Sequence, residues 1–145
     1  MPIPLWFIRW IFRRVAVVYG FVVIPRREEL VMGRATALRE LLRATDKAPI
    51  GMTPEGLEST GRLVVPPEGN GLLLAMLSRR GVPLLPVGVW EDGDVLVMRI
   101  GDVFDLCIPA DRARDEQDRI ARDSVMMAIG RLLPSAYWGA YEERL

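Results

Sequence analysis

Val82-Pro-Leu-Leu-Pro86-Val-Gly-Val-Trp90-Glu-Asp-Gly-Asp94-Val-Leu-Val-Met-Arg-Ile100 is the stretch whose reading sets the fold class. Val82–Trp90 is short and apolar, and Gly81 precedes it. That pattern predicts an apolar strand, with Pro83 and Pro86 shaping a terminal or edge position. Asp92-Gly93 is a hairpin signal that turns the chain into a second strand, Val95–Ile100. Upstream, Gly20–Arg26 is β-branched and bounded by Gly and Pro, and Pro49–Thr53 reads as another short strand.

Helical patterns separate these strands. Glu28–Ala44 carries Val31, Ala35, Leu38 and Leu42 on one face. Glu28 and Glu29 lie in its first turn and Arg43 in its last, matching the helix dipole. Pro54–Gly71 holds four glycines and three prolines and reads as a loop. Leu72–Arg80 has helical composition and stops at Gly81. Asp111–Leu133 reads as a long helix that ends before Pro134. Its expected buried stripe is Ala121, Val125, Ala128 and Leu132, with Asp115, Glu116, Asp118 and Arg119 solvated. Tyr137, Trp138 and Tyr141 form an aromatic tail expected to fold back. Alternating helices and strands predict an α/β fold: a largely parallel sheet with flanking helices and one antiparallel hairpin. One domain over 1–145 is expected, with a core at 3–108, a helix at 111–133 and the tail at 134–145.

Composition narrows the function. The chain has 145 residues, half of them hydrophobic, so it can bury a core. Lysine plus arginine equals aspartate plus glutamate at 19 each, which argues against nucleic acid held by bulk charge. There is no histidine, so no histidine triad, zinc site or proton shuttle can form within the chain. Cys107 is the single cysteine. Between Leu106 and Ile108 it reads as a buried, inert thiol. Gly69-Asn70-Gly71 begins like a dinucleotide fingerprint, but Leu74 stands where a third small residue belongs and Pro66-Pro67 precede it instead of a strand.

The start of the chain is apolar. The longest uncharged run, Val15–Pro25, is too short to span a bilayer, and no signal-peptide pattern opens the sequence. Leu5, Ile8, Phe12 and Val15 follow helical spacing, with Trp6 and Trp10 beside arginines. Segment 5–15 reads either as a core helix or as a peripheral membrane contact. A cytoplasmic protein, at most peripheral to the inner membrane, is expected.

Three segments in order resemble the glycerolipid acyltransferase family, which includes the 1-acyl-sn-glycerol-3-phosphate acyltransferases. They are Gly20–Arg26, Ile50-Gly51-Met52-Thr53-Pro54-Glu55-Gly56 and Val82-Pro83-Leu84-Leu85-Pro86-Val87. The resemblance covers about residues 3–108. It implies a glycerol-3-phosphate acyltransferase-like fold. It also implies transfer from acyl-CoA or acyl-carrier-protein to a lysophospholipid-type hydroxyl, with no metal or redox cofactor. The implied substrate-binding residues are Arg26, as a forked phosphate donor, with Pro54, Glu55, Gly56 and Ser59 of the loop. Leu57-Glu58 stands where the family carries Thr-Arg, and Arg62 is the candidate replacement cation. From the residues alone, Arg26 suits a surface ion pair with Glu28 or Glu29 better than a phosphate contact, and Glu55 suits a structural turn as well as a ligand role.

The family's first block, a histidine and an aspartate separated by four residues, does not precede Gly20 in this sequence. That block supplies the general base, worth roughly 10²–10⁴ in rate. A form carrying it would be a complete enzyme. This chain alone is expected to be inactive, the alternative being a non-catalytic lipid-binding or accessory module. A missing upstream portion would also uncover a sheet edge, which self-association could cover.

Overall fold

Pro83 and Pro86 determine where strand structure begins. Neither can donate to a ladder, and regular pairing starts only at Val87. In the computed structural model, which describes residues 31–56 and 61–145, strand β1 spans Val87–Asp92 and strand β2 spans Val95–Ile100. They pair antiparallel, with Val87 opposite Ile100, Val89 opposite Met98 and Asp92 opposite Val95. Gly93 takes φ 59°, as the first central residue of a tight hairpin turn requires. The ladder reaches one step further through an isolated bridge between Leu84 and Phe104.

This corrects the expected architecture. Among the described residues the sheet has only these two antiparallel strands, and no parallel sheet flanked by helices is present. Pro49–Thr53 carries no regular structure; Pro49 lacks a donor and Gly51 favours the unfolded chain. The expected strand Gly20–Arg26 and the opening segment 5–15 lie outside the described residues.

The chain divides into two units, Met1–Ile50 and Gly51–Leu145. In the first, helix α1 spans Val31–Thr45. Among its described side chains, at 38–45, Leu41 is buried and Leu38 and Leu42 are half-buried, while the expected stripe positions Val31 and Ala35 lie outside them. Ala44 accepts from the amides of Lys47 and Ala48 and closes the helix end.

In the second unit, helix α2 spans Asn70–Arg79 and helix α3 spans Arg114–Gly130. Asp115 and Glu116 sit in the first turn of α3, favourable to its dipole. Its buried stripe is Asp118, Ala121, Val125, Met126 and Gly130. Ala128 and Leu132 are half-buried, and the helix ends before Leu132. Gly71 lets α2 cross α3 closely, because a Cβ there would collide with the Asp118 carbonyl. The main apolar cluster joins Leu63, Trp90, Met126, Leu133 and Tyr141.

The aromatic tail completes that cluster. It forms two short 3₁₀ segments, Ser135–Tyr137 and Gly139–Arg144. Leu63 holds it at both ends: its amide donates to Tyr137 O at 2.9 Å, and its carbonyl accepts from Ala140 at 3.0 Å. Trp138 Nε1 donates to Gly130 O at 2.9 Å, which satisfies one of the open carbonyls at the end of α3. Tyr141 is only 1% exposed.

Candidate functional site

The Pro-Glu-Gly loop is a turn built from its own residues. Thr53 O accepts from the Gly56 amide at 3.2 Å, with Pro54 at the second position, where its fixed φ suits a β-turn. Gly56 has φ +79°, which a side chain would resist. Pro54 is buried, and its carbonyl accepts from Asn70 Nδ2 at 2.8 Å. Glu55 Oε1 accepts the Val64 amide at 2.8 Å. The carboxylate therefore braces the returning loop, the structural role that the sequence left open.

The other expected substrate-binding residues divide. Arg62 is exposed, and its stem stands beside Gly139 at the tail, not within the Pro54–Gly56 turn. Arg26 and Ser59 lie outside the described residues. Cys107 is exposed, not buried. Residues 105–108 alternate exposed and half-buried, so an extended backbone turns Leu106 and Ile108 inward and the thiol outward.

The most developed polar site was missed in the sequence. Asp118, expected on a solvated face, is 4% exposed. Its Oδ1 accepts the Leu72 amide at 2.9 Å, and both its oxygens lie 3.1 Å from the Gly69 amide. Arg122 Nε lies 2.9 Å from Asp118 Oδ2 as an ion pair but without hydrogen-bond alignment. Arg122 also donates to Pro66 O at 2.6 Å. A helix N-terminus is a natural anion site, and here a protein carboxylate already fills it. Asp118 therefore occupies the Gly69 and Leu72 amides, two of the donors that a dinucleotide phosphate would need at this helix start. The i, i+4 spacing of Asp118 and Arg122 was the available signal.

A second polar cluster fixes the tail. Asp123 pairs with Arg144 at 3.0 Å and with Arg119 at 3.6 Å, and accepts from the Tyr141 hydroxyl at 3.4 Å. Burial, and secondarily the Asp123 charge, push the Tyr141 hydroxyl up to about 12. The hydrogen bond to Asp123 holds Arg144 above its ordinary range.

The hairpin has two unlike faces. Trp90 is buried on one, with Arg99 5.1 Å from its ring centroid and donating to Leu132 O at 3.3 Å. The opposite face carries Val89, Leu96, Met98 and Ile100, which are 47%, 67%, 62% and 61% exposed. Isolated exposed apolar residues are ordinary, but a contiguous set is the usual mark of an interaction surface.

Among the described residues no histidine, cysteine and carboxylate group is placed to hold a metal ion, and no helix is long and apolar enough to cross a membrane. No protein-family model, curated protein or solved structure matches this chain.

Proposed function

We propose that this chain is a non-catalytic accessory module, related through its ordered motifs to the glycerolipid acyltransferases, and that it acts by protein association. The observation that carries this reading is the exposed apolar hairpin face of Val89, Leu96, Met98 and Ile100. Two further facts favour association over acyl transfer. No histidine is available to take the acceptor hydroxyl proton. The carboxylate of the Pro-Glu-Gly motif uses Oε1 on the Val64 amide.

Incubating the purified chain with radiolabelled acyl-CoA and lysophosphatidate tests the proposal. Turnover indistinguishable from a buffer blank is expected. Turnover well above the blank would overturn the reading and restore acyl transfer to a lysophospholipid-type acceptor.

A further inference from the structure

Ladder geometry shows which backbone groups of β2 are free of the hairpin. Gly101 donates to Pro86 O at 3.0 Å, so its amide points toward β1. Successive residues of a strand alternate. Arg99 and Val97 therefore also point toward β1, while the N–H and C=O groups of Leu96, Met98 and Ile100 point away from it. These are the residues whose side chains stand exposed on the apolar face. Each one thus presents a donor, an acceptor and an apolar side chain together.

Natural edge strands are blunted by lysine, proline, bulges or inward charges. β2 reads Val95-Leu-Val-Met-Arg-Ile100 and has none of these on its outer groups. Its one charge, Arg99, is turned to the other face over Trp90.

We propose that β2 pairs edge to edge with β2 of a second copy of this chain, antiparallel and centred on Met98, giving a continuous four-stranded sheet. This rests on the association reading above and names its partner. In this register Met98 faces Met98 of the second copy, and Leu96 faces Ile100. Every outward group meets a complementary one. Arg99 falls opposite Val97, so no like charges oppose within β2. A register shifted to centre on Val97 would set Ile100 against Asp94 and lose an apolar pair.

Charge also selects the partner. The chain carries no net formal charge, so two copies do not repel through net charge. The exposed hairpin face carries one charge, the Glu91 carboxylate, which is unfavourable toward an anionic bilayer.

Sedimentation equilibrium of the whole chain over a wide concentration range tests the pairing. The expected result is a reversible dimer at twice the monomer mass. Met98→Pro removes an outward donor while leaving the hairpin's own bonds, and Met98→Lys places two charges opposite each other. Each should weaken the dimer roughly tenfold or more. Far-UV circular dichroism and melting should stay near wild type for at least one of them. Val89→Lys changes the apolar face away from the β2 edge and should leave the dimer intact. A monomer at all concentrations overturns the proposal. So does a dimer lost in Val89→Lys but kept in both Met98 variants, since that means face-to-face packing. Flotation with anionic phosphatidylglycerol vesicles by a monomeric wild-type chain also overturns it, with a lipid surface as the occupant. None of these results produces acyl turnover, so failure here leaves the non-catalytic reading to its own assay.

Discussion

Asp118 accepts the backbone amide of Leu72 at 2.9 Å, so helix α3 supplies the cap that helix α2 does not make for itself. Gly69 precedes α2 in a left-handed conformation, with φ 92°, and has no side chain to close the turn. The cap comes from a distant part of the chain, and the Gly71 crossing brings it into reach. One contact thus couples helix initiation to helix packing.

Removing that cap strands Arg122 as well as the α2 amides. Asp118→Ala should cost about 3 kcal/mol, the scale of breaking a buried pair from one side. Asp118→Asn keeps an acceptor and should cost less. Urea denaturation of the two variants checks the order.

Gly71→Ala would improve helix propensity by up to about 1 kcal/mol in an open site. Here the added carbon meets the Asp118 carbonyl. The variant should be net destabilised, by about 1–3 kcal/mol as for other overpacked contacts. A thermal melt decides; a raised melting temperature would refute the close crossing.

Tyr141 sets an alkaline limit. Its hydroxyl titrates near 12 in the folded chain against an ordinary value of 10.0, so the folded state holds its proton more tightly. The associated stability is present in full below pH 10 and is lost as pH rises through about 12. Tyr141→Phe should flatten the loss over that window while changing neutral stability by about 1 kcal/mol or less. Stability followed by denaturant titration from pH 8 to 12 reads this out.

Glu55 distinguishes a brace from a substrate ligand. Glu55→Gln retains an oxygen for the Val64 amide and should be nearly as stable as wild type. Glu55→Ala should lose about 1 kcal/mol, the net worth of a typical hydrogen bond. Equal loss in both would show that the charge, not the acceptor, matters. Chemical denaturation of the pair supplies the comparison.

The parts legible in the sequence were those written in local chemistry. The Asp92-Gly93 hairpin, α2 and the core of α3 carry their own signals in turn residues and periodicity. The expected parallel sheet is absent among the described residues because Pro49, Gly51, Pro83 and Pro86 deny a ladder to segments whose apolar composition suits strands. Asp118 departs from its expected solvated face because, although an acidic residue near a helix start normally faces water, its burial depends on a partner helix 46 positions away. Cys107 departs from its expected burial because apolar neighbours along an extended chain point to the opposite side. At the candidate site, the Pro-Glu-Gly turn itself was legible, but the engagement of Glu55 with Val64 depends on a loop return that no local pattern encodes.

The claim that β2 is an association edge is tested most directly by amide hydrogen exchange at low and high protein concentration. Val97 and Arg99 should be protected at both, because they bond within the hairpin. Leu96, Met98 and Ile100 should exchange freely when dilute and become protected as concentration rises. Unprotected Leu96, Met98 and Ile100 amides at every concentration would contradict it.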